Sequence, residues 1–406
     1  MAGIVVAPQP LAAEAGAEAL RRGGNAFDAA VAAAFMQAAT DPFMCGIGGM
    51  GVATVHVAAT GETLVLDFYG RAGSATRPDL WVDRIRRAAN GKTFVEGFAN
   101  DIGYASILIP GTVAGLGALH RRWGRLAWSM LVEPAARRLQ EGYPLFAYIA
   151  DYFHYPFGPH MAGIDQRLRA TKAMAQIWLR PDGGLPPVGE VHRNPDYARS
   201  LERIADDGPD TFYRGELGGQ IADDFQRNGA LITAEDLANY QPRWTDPVAI
   251  RFRDVCIRSS PAPGGGVTVL QALKILEGYP LQHLGHNSPE YLHLLVSALK
   301  AAFADRSASV GDPAFVDVPQ ARLLSDAHAM AWREAIDAGR LPTAAAQPTP
   351  GTTHLTVADD EGNVVSLTHT LGSSSAGVSP GLGFQYKNGP NHFDPLPGRP
   401  NPLQPD

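Results

Sequence analysis

The sequence contains little of what marks several protein classes. Of its 406 residues only two are cysteines, Cys45 and Cys256, too few for a disulfide framework or a cysteine-based zinc cluster. Lys and Arg total 34 against 41 Asp and Glu, and no basic run occurs, so the net charge of −7 argues against a nucleic-acid-binding surface. No stretch reaches the about 18 consecutive apolar residues of a membrane helix. We therefore expect neither nucleic acid nor a membrane as a partner.

Signals for export, metals and nucleotides are also weak. The N-terminus lacks the basic and apolar regions of a signal peptide, so we expect a cytoplasmic protein, or a periplasmic or secreted one if a signal was removed. Residues 46–51 (GIGGMG) have no following Lys-Ser/Thr, which argues against a phosphate-binding loop. His154 and His160 in an aromatic loop are more often plain loop residues than metal ligands. We expect no metal and no cofactor.

What is present favours a packed α/β protein. Apolar residues make up 45% of the chain, and 44 Gly with 32 Pro predict many turns. Apolar spacing predicts helices over 10–22 and from Asn25 to Asp41. Alternation predicts two hairpins, one over 52–57 and 63–68, the other over 353–358 and 364–371. Residues 340–351 (RLPTAAAQPTPG) lack periodicity and are predicted to form an exposed, mobile linker.

The junction between that linker and the next strand carries the main chemical signal. Gly351 is followed by Thr352, the residue before a core strand. If the chain were cut there, Thr352 would carry both a hydroxyl and a free α-amine, whose pKa is about 7.7–8.0. The nucleophile and its base would then belong to the same residue. Gly351 tolerates the strained backbone that such a cut requires. The spacing alone also fits a Thr that simply begins a strand.

Motifs along nearly the whole chain add a family resemblance. They are residues 10–16 (PLAAEAG), 23–30 (GGNAFDAA), 46–49 (GIGG), 110–115 (PGTVAG), 235–240 (EDLANY), 301–306 (AAFADR), 311–313 (GDP), 352–354 (TTH), 360–363 (DEGN) and 397–400 (PGRP). In this order they resemble the gamma-glutamyltranspeptidase (glutathione hydrolase) family of N-terminal-nucleophile hydrolases. The resemblance implies an αββα four-layer sandwich in one structural domain.

The resemblance also implies an activity and its residues. A proenzyme would cleave itself between Gly351 and Thr352 into a large-subunit region, 1–351, and the start of a small subunit, 352–406, which stay together as a heterodimer. Thr352 would be the nucleophile towards a small-molecule amide, and Thr370 would be the second Thr that hydrogen-bonds the nucleophile's hydroxyl. The function implied is amide hydrolysis or acyl transfer through an acyl-enzyme.

The substrate end departs from the family pattern. Tyr69 stands where the family has an Arg that grips the substrate α-carboxylate, and the next Arg is Arg71. Gly372 and His392 fall where the family has polar groups that hold the amino-acid head. Because Tyr cannot form an Arg-carboxylate fork, we predict altered, non-gamma-glutamyl acyl specificity.

The chain is also short after the predicted cleavage point. Only 55 residues follow Gly351, whereas the family's small subunit is several times longer and carries the oxyanion hole. The sandwich is therefore expected to be incomplete at its C-terminus. The alternative function is a truncated, non-catalytic family member that acts as a binding or scaffold protein.

Overall fold

The computed structural model describes residues 3–89, 93–342 and 351–390, together with Phe393 and Pro405. The strands are β1 Gly3–Val6, β2 Met50–Val57, β3 Glu62–Phe68, β4 Ile85–Arg87, β5 Thr93–Val95, β6 Tyr143–Pro144, β7 Val191–His192, β8 Arg243–Thr245, β9 Val248–Phe252, β10 Val255–Ser259, β11 Thr353–Asp359 and β12 Val364–Thr370. The helices are α1 Pro10–Arg21, α2 Ala26–Thr40, α3 Thr112–Trp123, α4 Trp128–Glu141, α5 Ala147–Tyr152, α6 Ile164–Leu168, α7 Lys172–Trp178, α8 Pro195–Asp207, α9 Glu216–Asn228, α10 Ala234–Asn239, α11 Gly266–Glu277, α12 Pro289–Ser309, α13 Gln320–Leu323 and α14 Asp326–Asp337.

A six-stranded sheet joins the two ends of the described chain. Its order is β1-β11-β12-β2-β3-β8, and each neighbouring pair is antiparallel. Both predicted hairpins are confirmed, as β2–β3 and β11–β12. Strand β1 was not predicted, since its four residues are too few to show alternation; it pairs with β11, with Gly3 opposite Asp359. Residues 343–350 of the predicted linker lie outside the described residues.

Helix α2 is buried along its whole length beneath this sheet. Its many Ala side chains are small enough for β11, β12, α1 and α4 to pack closely around it. The Asn25 side chain accepts from the backbone N–H of Asp28, and the Asp28 carboxylate accepts from the N–H of Asn25, so the predicted helix start is a capping box. The other end of α2 brings Asp41 beneath the sheet's end.

Alternation along β11 and β12 decides which side chains reach solvent. Thr353, Leu355 and Val357 are buried on the helix-covered face, whereas His354 is exposed on the opposite face. Thr352 therefore belongs to the open face while its neighbour Thr353 belongs to the core. Of the expected four layers, the described residues contain this one large sheet and its helices.

Helices α11, α12 and α14 surround a separate small core of Ile275, Leu276, Ala298, Ala301, Ala329 and Ile336. On α12 Leu295 packs against this core, whereas Leu292, Leu299 and Phe303 are exposed. In the described part of the chain no helix is both long and apolar enough to cross a membrane.

Candidate active site

Four neighbouring strands end at the same edge of the large sheet. Thr353 at the start of β11 pairs with His369, and Thr370 at the end of β12 pairs with Met50 at the start of β2. Tyr69 follows Phe68, the last residue of β3, and Phe68 pairs with Gly51 of β2. Three strand steps separate the backbone of Tyr69 from that of Thr352, and an ordinary strand spacing of about 4.8 Å makes this about 14 Å. This edge therefore gathers the predicted nucleophile and a predicted substrate residue along one line.

The two threonines and the predicted cleavage site form one hydrogen-bonded group. Thr352 Oγ1 lies 3.1 Å from Thr370 Oγ1 and 2.7 Å from the carbonyl oxygen of Gly351. Thr370 Oγ1 donates to that same Gly351 oxygen. The backbone N–H of Gly372 donates to Thr370 Oγ1 at 2.8 Å. The structure thus brings Gly351, Thr352, Thr370 and Gly372 together.

One arrangement of the hydroxyl protons uses every site on Thr370, and in it the Thr352 hydroxyl donates to Thr370 rather than to Gly351. A Thr hydroxyl has one proton and two acceptor lone pairs. Thr370 gives its proton to the Gly351 carbonyl and accepts from Gly372 N–H and from Thr352. Each site on the Thr370 hydroxyl is used, so this side chain is oriented towards both the attacking oxygen and the carbonyl that would be attacked.

Gly351 occupies a position that a larger residue cannot take. Its φ is +110°, and a Cβ there would lie 1.6 Å from the carbonyl oxygen of Gly372. Such a φ is available to glycine at low cost and is strained for other residues. The backbone before Thr352 is therefore held in close contact with the turn after β12.

The Gly-rich segment 46–51 packs against the same region. Gly49 N–H donates to the Gly46 carbonyl, and the Gly48 carbonyl accepts from Lys387 N–H at 2.9 Å. A Cβ on Gly48 would lie 2.3 Å from the Gln385 carbonyl oxygen. The glycines of this segment therefore allow close backbone packing in a tight turn.

Two of the predicted substrate residues, Tyr69 and Arg71, lie at the β3 side of the edge. Tyr69 is partly buried, and burial raises the pKa of its hydroxyl to about 12, so the ring is neutral at physiological pH. Its carbonyl accepts from Tyr240 Oη at 2.8 Å. Arg71 donates to the Gln241 carbonyl at 2.8 Å and places its guanidinium 5.1 Å from the Tyr240 ring centroid. His392 lies outside the described residues.

A buried polar layer beneath the predicted nucleophile was missed by sequence reasoning. Thr353 Oγ1 accepts from Gln37 Nε2 at 3.2 Å, and Gln37 Oε1 accepts from His369 Nε2 at 2.8 Å. Gln37 also donates to Gln9, and Gln9 donates to a carboxylate oxygen of Asp41. The available signals were Gln37 inside an Ala-rich helix and Asp41 before a proline.

Burial shifts both titratable members of this layer towards their neutral forms. It raises the pKa of Asp41 to about 7, a rise that the Gln9 hydrogen bond partly offsets. It lowers the pKa of His369 to about 3, with a smaller contribution from His354. Asp41 Oδ1 and His369 Nδ1 have no hydrogen-bond partner among the described residues. Across the described ranges no three His, Cys, Asp or Glu side chains are grouped to hold a metal.

This fold and this strand edge define a hydrolase of the N-terminal-nucleophile class. The sequence profile of the family described as Gamma-glutamyltranspeptidase matches residues 12–406. The chain belongs to the gamma-glutamyltranspeptidase family, and it is an enzyme of that family. The predicted family is confirmed.

Three relatives show the range within that family. The chain is 36% identical over 407 residues to the Acylase ACY 1 proenzyme of Pseudomonas sp. (strain SE83), with 98% of this chain and 70% of the relative covered. It is 34% identical over 406 residues to the Glutathione hydrolase proenzyme of Pseudomonas aeruginosa, covering 98% and 69%. The crystal structure of cephalosporin acylase from Bacillus halodurans superposes with a TM-score of 0.84 at 31% identity, covering 99% and 72%. The predicted mixed α/β fold is confirmed by this likeness.

Proposed function

We propose that this chain is a self-cleaving amide hydrolase or acyltransferase whose nucleophile is Thr352. The observation that carries the proposal is the contact of Thr352 Oγ1 with both Thr370 Oγ1 and the Gly351 carbonyl oxygen. The proenzyme names of the relatives support self-cleavage, since a proenzyme must be converted before it acts.

In the processing step Thr352 Oγ1 attacks the carbonyl carbon of Gly351. A C–O bond forms, the C–N bond between the two residues breaks, and the hydroxyl proton ends on the released amine. Thr370 donates its proton to the carbonyl oxygen, where negative charge develops, and so stabilises the transition state. Water then hydrolyses the ester, leaving Gly351 as a carboxylate and Thr352 with a free amine and a free hydroxyl.

Turnover uses the same atoms on an external amide. The free amine of Thr352 accepts the hydroxyl proton as Oγ1 attacks the substrate carbonyl, and the leaving amine takes that proton away. Water or an acceptor amine then removes the acyl group from Oγ1. Residues 1–351 and 352–406 would remain associated as a heterodimer, because β11 pairs with β1 and β12 pairs with β2 across the cut.

The acyl group is proposed to lack an α-amino-acid head. Tyr69 offers a neutral ring and one hydroxyl, which cannot replace a bidentate guanidinium-carboxylate contact, and Gly372 has no side chain to hold an amine. Arg71 is proposed to contact a simple terminal acid group of the acyl chain, and His392, outside the described residues, stays a predicted substrate residue. Relatives named acylases stand beside relatives named glutathione hydrolases in this family, so a change of acyl group has precedent within it.

The nucleophile is tested by the rate of chain cleavage on denaturing gels. Thr352→Ala should leave an intact, inactive precursor, and Thr352→Ser should keep some cleavage because it retains the hydroxyl. Thr356→Ala is the matched control: it lies on the same strand and face and has no described contact with Gly351. Normal cleavage of the Thr352→Ala protein would refute the assignment.

Specificity is tested by kcat/KM for glutaryl anilide against gamma-glutamyl anilide. The wild-type enzyme should favour glutaryl anilide at least tenfold, because no charged group at position 69 holds an α-carboxylate. Tyr69→Arg should shift the ratio towards the gamma-glutamyl compound, whereas Tyr69→Phe should not. A wild-type preference for gamma-glutamyl anilide would restore the usual family substrate. The cytoplasmic location stays a prediction, and no contact in the described site favours the alternative of a non-catalytic scaffold.

A further inference from the structure

A fully buried arginine reaches from the first part of the chain into the turn after Thr370. Arg167 of α6 is 1% exposed, yet its Nη1 donates to the carbonyl oxygens of Ser373 at 3.0 Å and Ser374 at 2.6 Å. These contacts join residues 206 and 207 positions apart in the sequence. We propose that Arg167 is a positioning residue that clamps the turn 372–376 and thereby orients the Thr352–Thr370 pair; this inference rests on the proposed function.

The buried guanidinium of Arg167 has hydrogen-bond acceptors and an aromatic ring around it, as a buried charge requires. Arg167 Nη2 donates to the buried Asp101 carboxylate, and Nε donates to the Ala162 carbonyl at 3.2 Å. The guanidinium also lies 4.9 Å from the Phe157 ring centroid. Four of the five N–H donors of the head are used by these bonds, and at 1% exposure the side chain is closed off from solvent. Arg167 therefore acts on the site only through the turn that it holds.

The side-chain amide of Asn388 also holds this turn. Asn388 Oδ1 accepts from Ser373 N–H at 3.1 Å, and Asn388 Nδ2 donates to Asp101 Oδ1 at 2.7 Å. Asp101 thus contacts both Arg167 and Asn388, and both of these contact Ser373. The backbone of residue 373 is fixed at its N–H and at its carbonyl by two side chains that share one carboxylate.

The clamped turn is one that a free chain would avoid. Ser374 and Ala376 have φ values of +63° and +57°, and Gly372 has +64°. Left-handed backbone at residues other than glycine is uncommon and persists where the surroundings enforce it, most often at functional sites. Here the enforcing contacts include the Arg167 bonds to the carbonyls of Ser373 and Ser374.

The turn contacts the atoms of the proposed reaction directly. Gly372 N–H donates to Thr370 Oγ1 at 2.8 Å, and the Gly372 carbonyl lies against Gly351, where an added Cβ would be 1.6 Å away. A shift of the turn therefore moves both the Thr370 hydroxyl and the carbonyl that Thr352 would attack. Because reactions of this kind are sensitive to displacements of about 1 Å, loosening the clamp should slow the chemistry.

Arg167→Lys in the complete gene product tests the proposal. Lysine keeps a positive charge near Asp101, but one ammonium group cannot reach Asp101 and two carbonyls at once. Arg333→Lys is the matched control, because Arg333 Nη1 donates to two successive carbonyls, those of Lys274 and Ile275, in the separate helical core. Each variant is studied well below its own Tm, and the first-order rate constant of chain cleavage is measured on denaturing gels.

We expect Arg167→Lys to slow cleavage at least tenfold and Arg333→Lys to stay within twofold of wild type. Adding Ala376→Gly, which makes the φ at 376 favourable, should restore at least threefold of the rate lost in Arg167→Lys and should not change the rate of Arg333→Lys. A purely structural role would not produce this selective rescue. Cleavage of Arg167→Lys within twofold of wild type would overturn the proposal, as would an absence of rescue.

Two further variants keep the outcomes distinct. If Arg167→Lys does not fold, Phe157→Leu decides, because it removes the ring beside the guanidinium and keeps every hydrogen bond; it should slow cleavage at least twofold, and an unchanged rate would overturn the clamp. Thr352→Ala is run in parallel. Its cleavage would refute the proposed function itself, whereas an uncut Thr352→Ala beside a normally cut Arg167→Lys would refute only the clamp.

Discussion

Replacing Asp41 by Asn should change how the stability of this protein depends on pH. Asp41 is 1% exposed at the end of α2, Gln9 donates to one of its carboxylate oxygens, and the other oxygen has no partner among the described residues. Burial therefore raises the pKa of Asp41 from 3.8 to about 7. An unfolded chain returns the carboxyl to its ordinary value.

The direction of this pH dependence follows from the difference in proton binding between the folded and unfolded states. Between pH 3.8 and pH 7 the folded protein keeps the Asp41 proton and the unfolded chain loses it, so stability falls as pH rises through this window. The two pKa values differ by about three pH units, and each unit corresponds to about 1.4 kcal/mol. Relative to wild type, Asp41→Asn should therefore gain about 3–4 kcal/mol of unfolding free energy between pH 4 and pH 7.5.

His369 in the same layer produces the opposite slope. Burial lowers its pKa from 6.5 to about 3, so between these values the unfolded chain binds a proton that the folded protein does not, and stability rises with pH. In wild type the two slopes nearly cancel around pH 4–6.5. His369→Gln should therefore reveal the falling slope of Asp41, whereas Asp41→Asn should reveal the rising slope of His369.

Urea titrations at pH 4, 5.5 and 7.5 measure these differences. The exposed carboxylate Asp206 on α8 provides the control, since Asp206→Asn changes a group already in solvent. The reasoning is refuted if the free-energy difference between Asp41→Asn and wild type is the same at all three pH values.

Three other predictions follow from the packing around the site. Gly351→Ala should fold but remain uncut on denaturing gels, because its Cβ would collide with the Gly372 carbonyl; a processed protein would contradict the geometry. Thr370→Ala should slow cleavage about 100- to 1,000-fold through loss of one donor to the developing oxyanion, while Thr370→Ser should stay within about tenfold in the same time course. Ala33→Leu should lower the unfolding free energy in urea by about 1–3 kcal/mol, because Ala33 is fully buried in α2, and an unchanged value would mean that the helix has room to spare.

The hairpin that carries both threonines was predictable because its signals are local. Alternating apolar residues define β11 and β12, and the turn centred on Glu361 fixes their register. Thr352 and Thr370 each lie nine residues from that centre, so the turn alone brings them opposite each other. The capped helix start at Asn25 was predictable for the same reason, since a cap involves residues two or three apart.

The supports of the site were not predictable, because they depend on contacts between distant parts of the chain. Arg167 lies in a five-residue helix with no pattern of its own, and its partners Ser373 and Ser374 follow more than 200 residues later. Asp41 could be read from the sequence only as a helix end. Its role depends on the polar layer that meets there, and that layer exists only once β11 and β12 lie over α2.

The arrangement of the sheet explains how one family can keep its chemistry while its substrates change. The proposed nucleophile pair consists of Thr352, directly before β11, and Thr370, at the end of β12. Tyr69, which is proposed to select the acyl group, follows β3, and only the start of β2 lies between them. Tyr69 is held through its carbonyl by Tyr240, and Gly70 N–H contacts Met50 Sδ, whereas Thr370 is held by Gly372 and the Arg167 clamp. Because the two ends have separate supports, a change at position 69 need not move Thr352. Under the proposed function, substrate choice can therefore vary three strands away from a nucleophile whose geometry stays fixed.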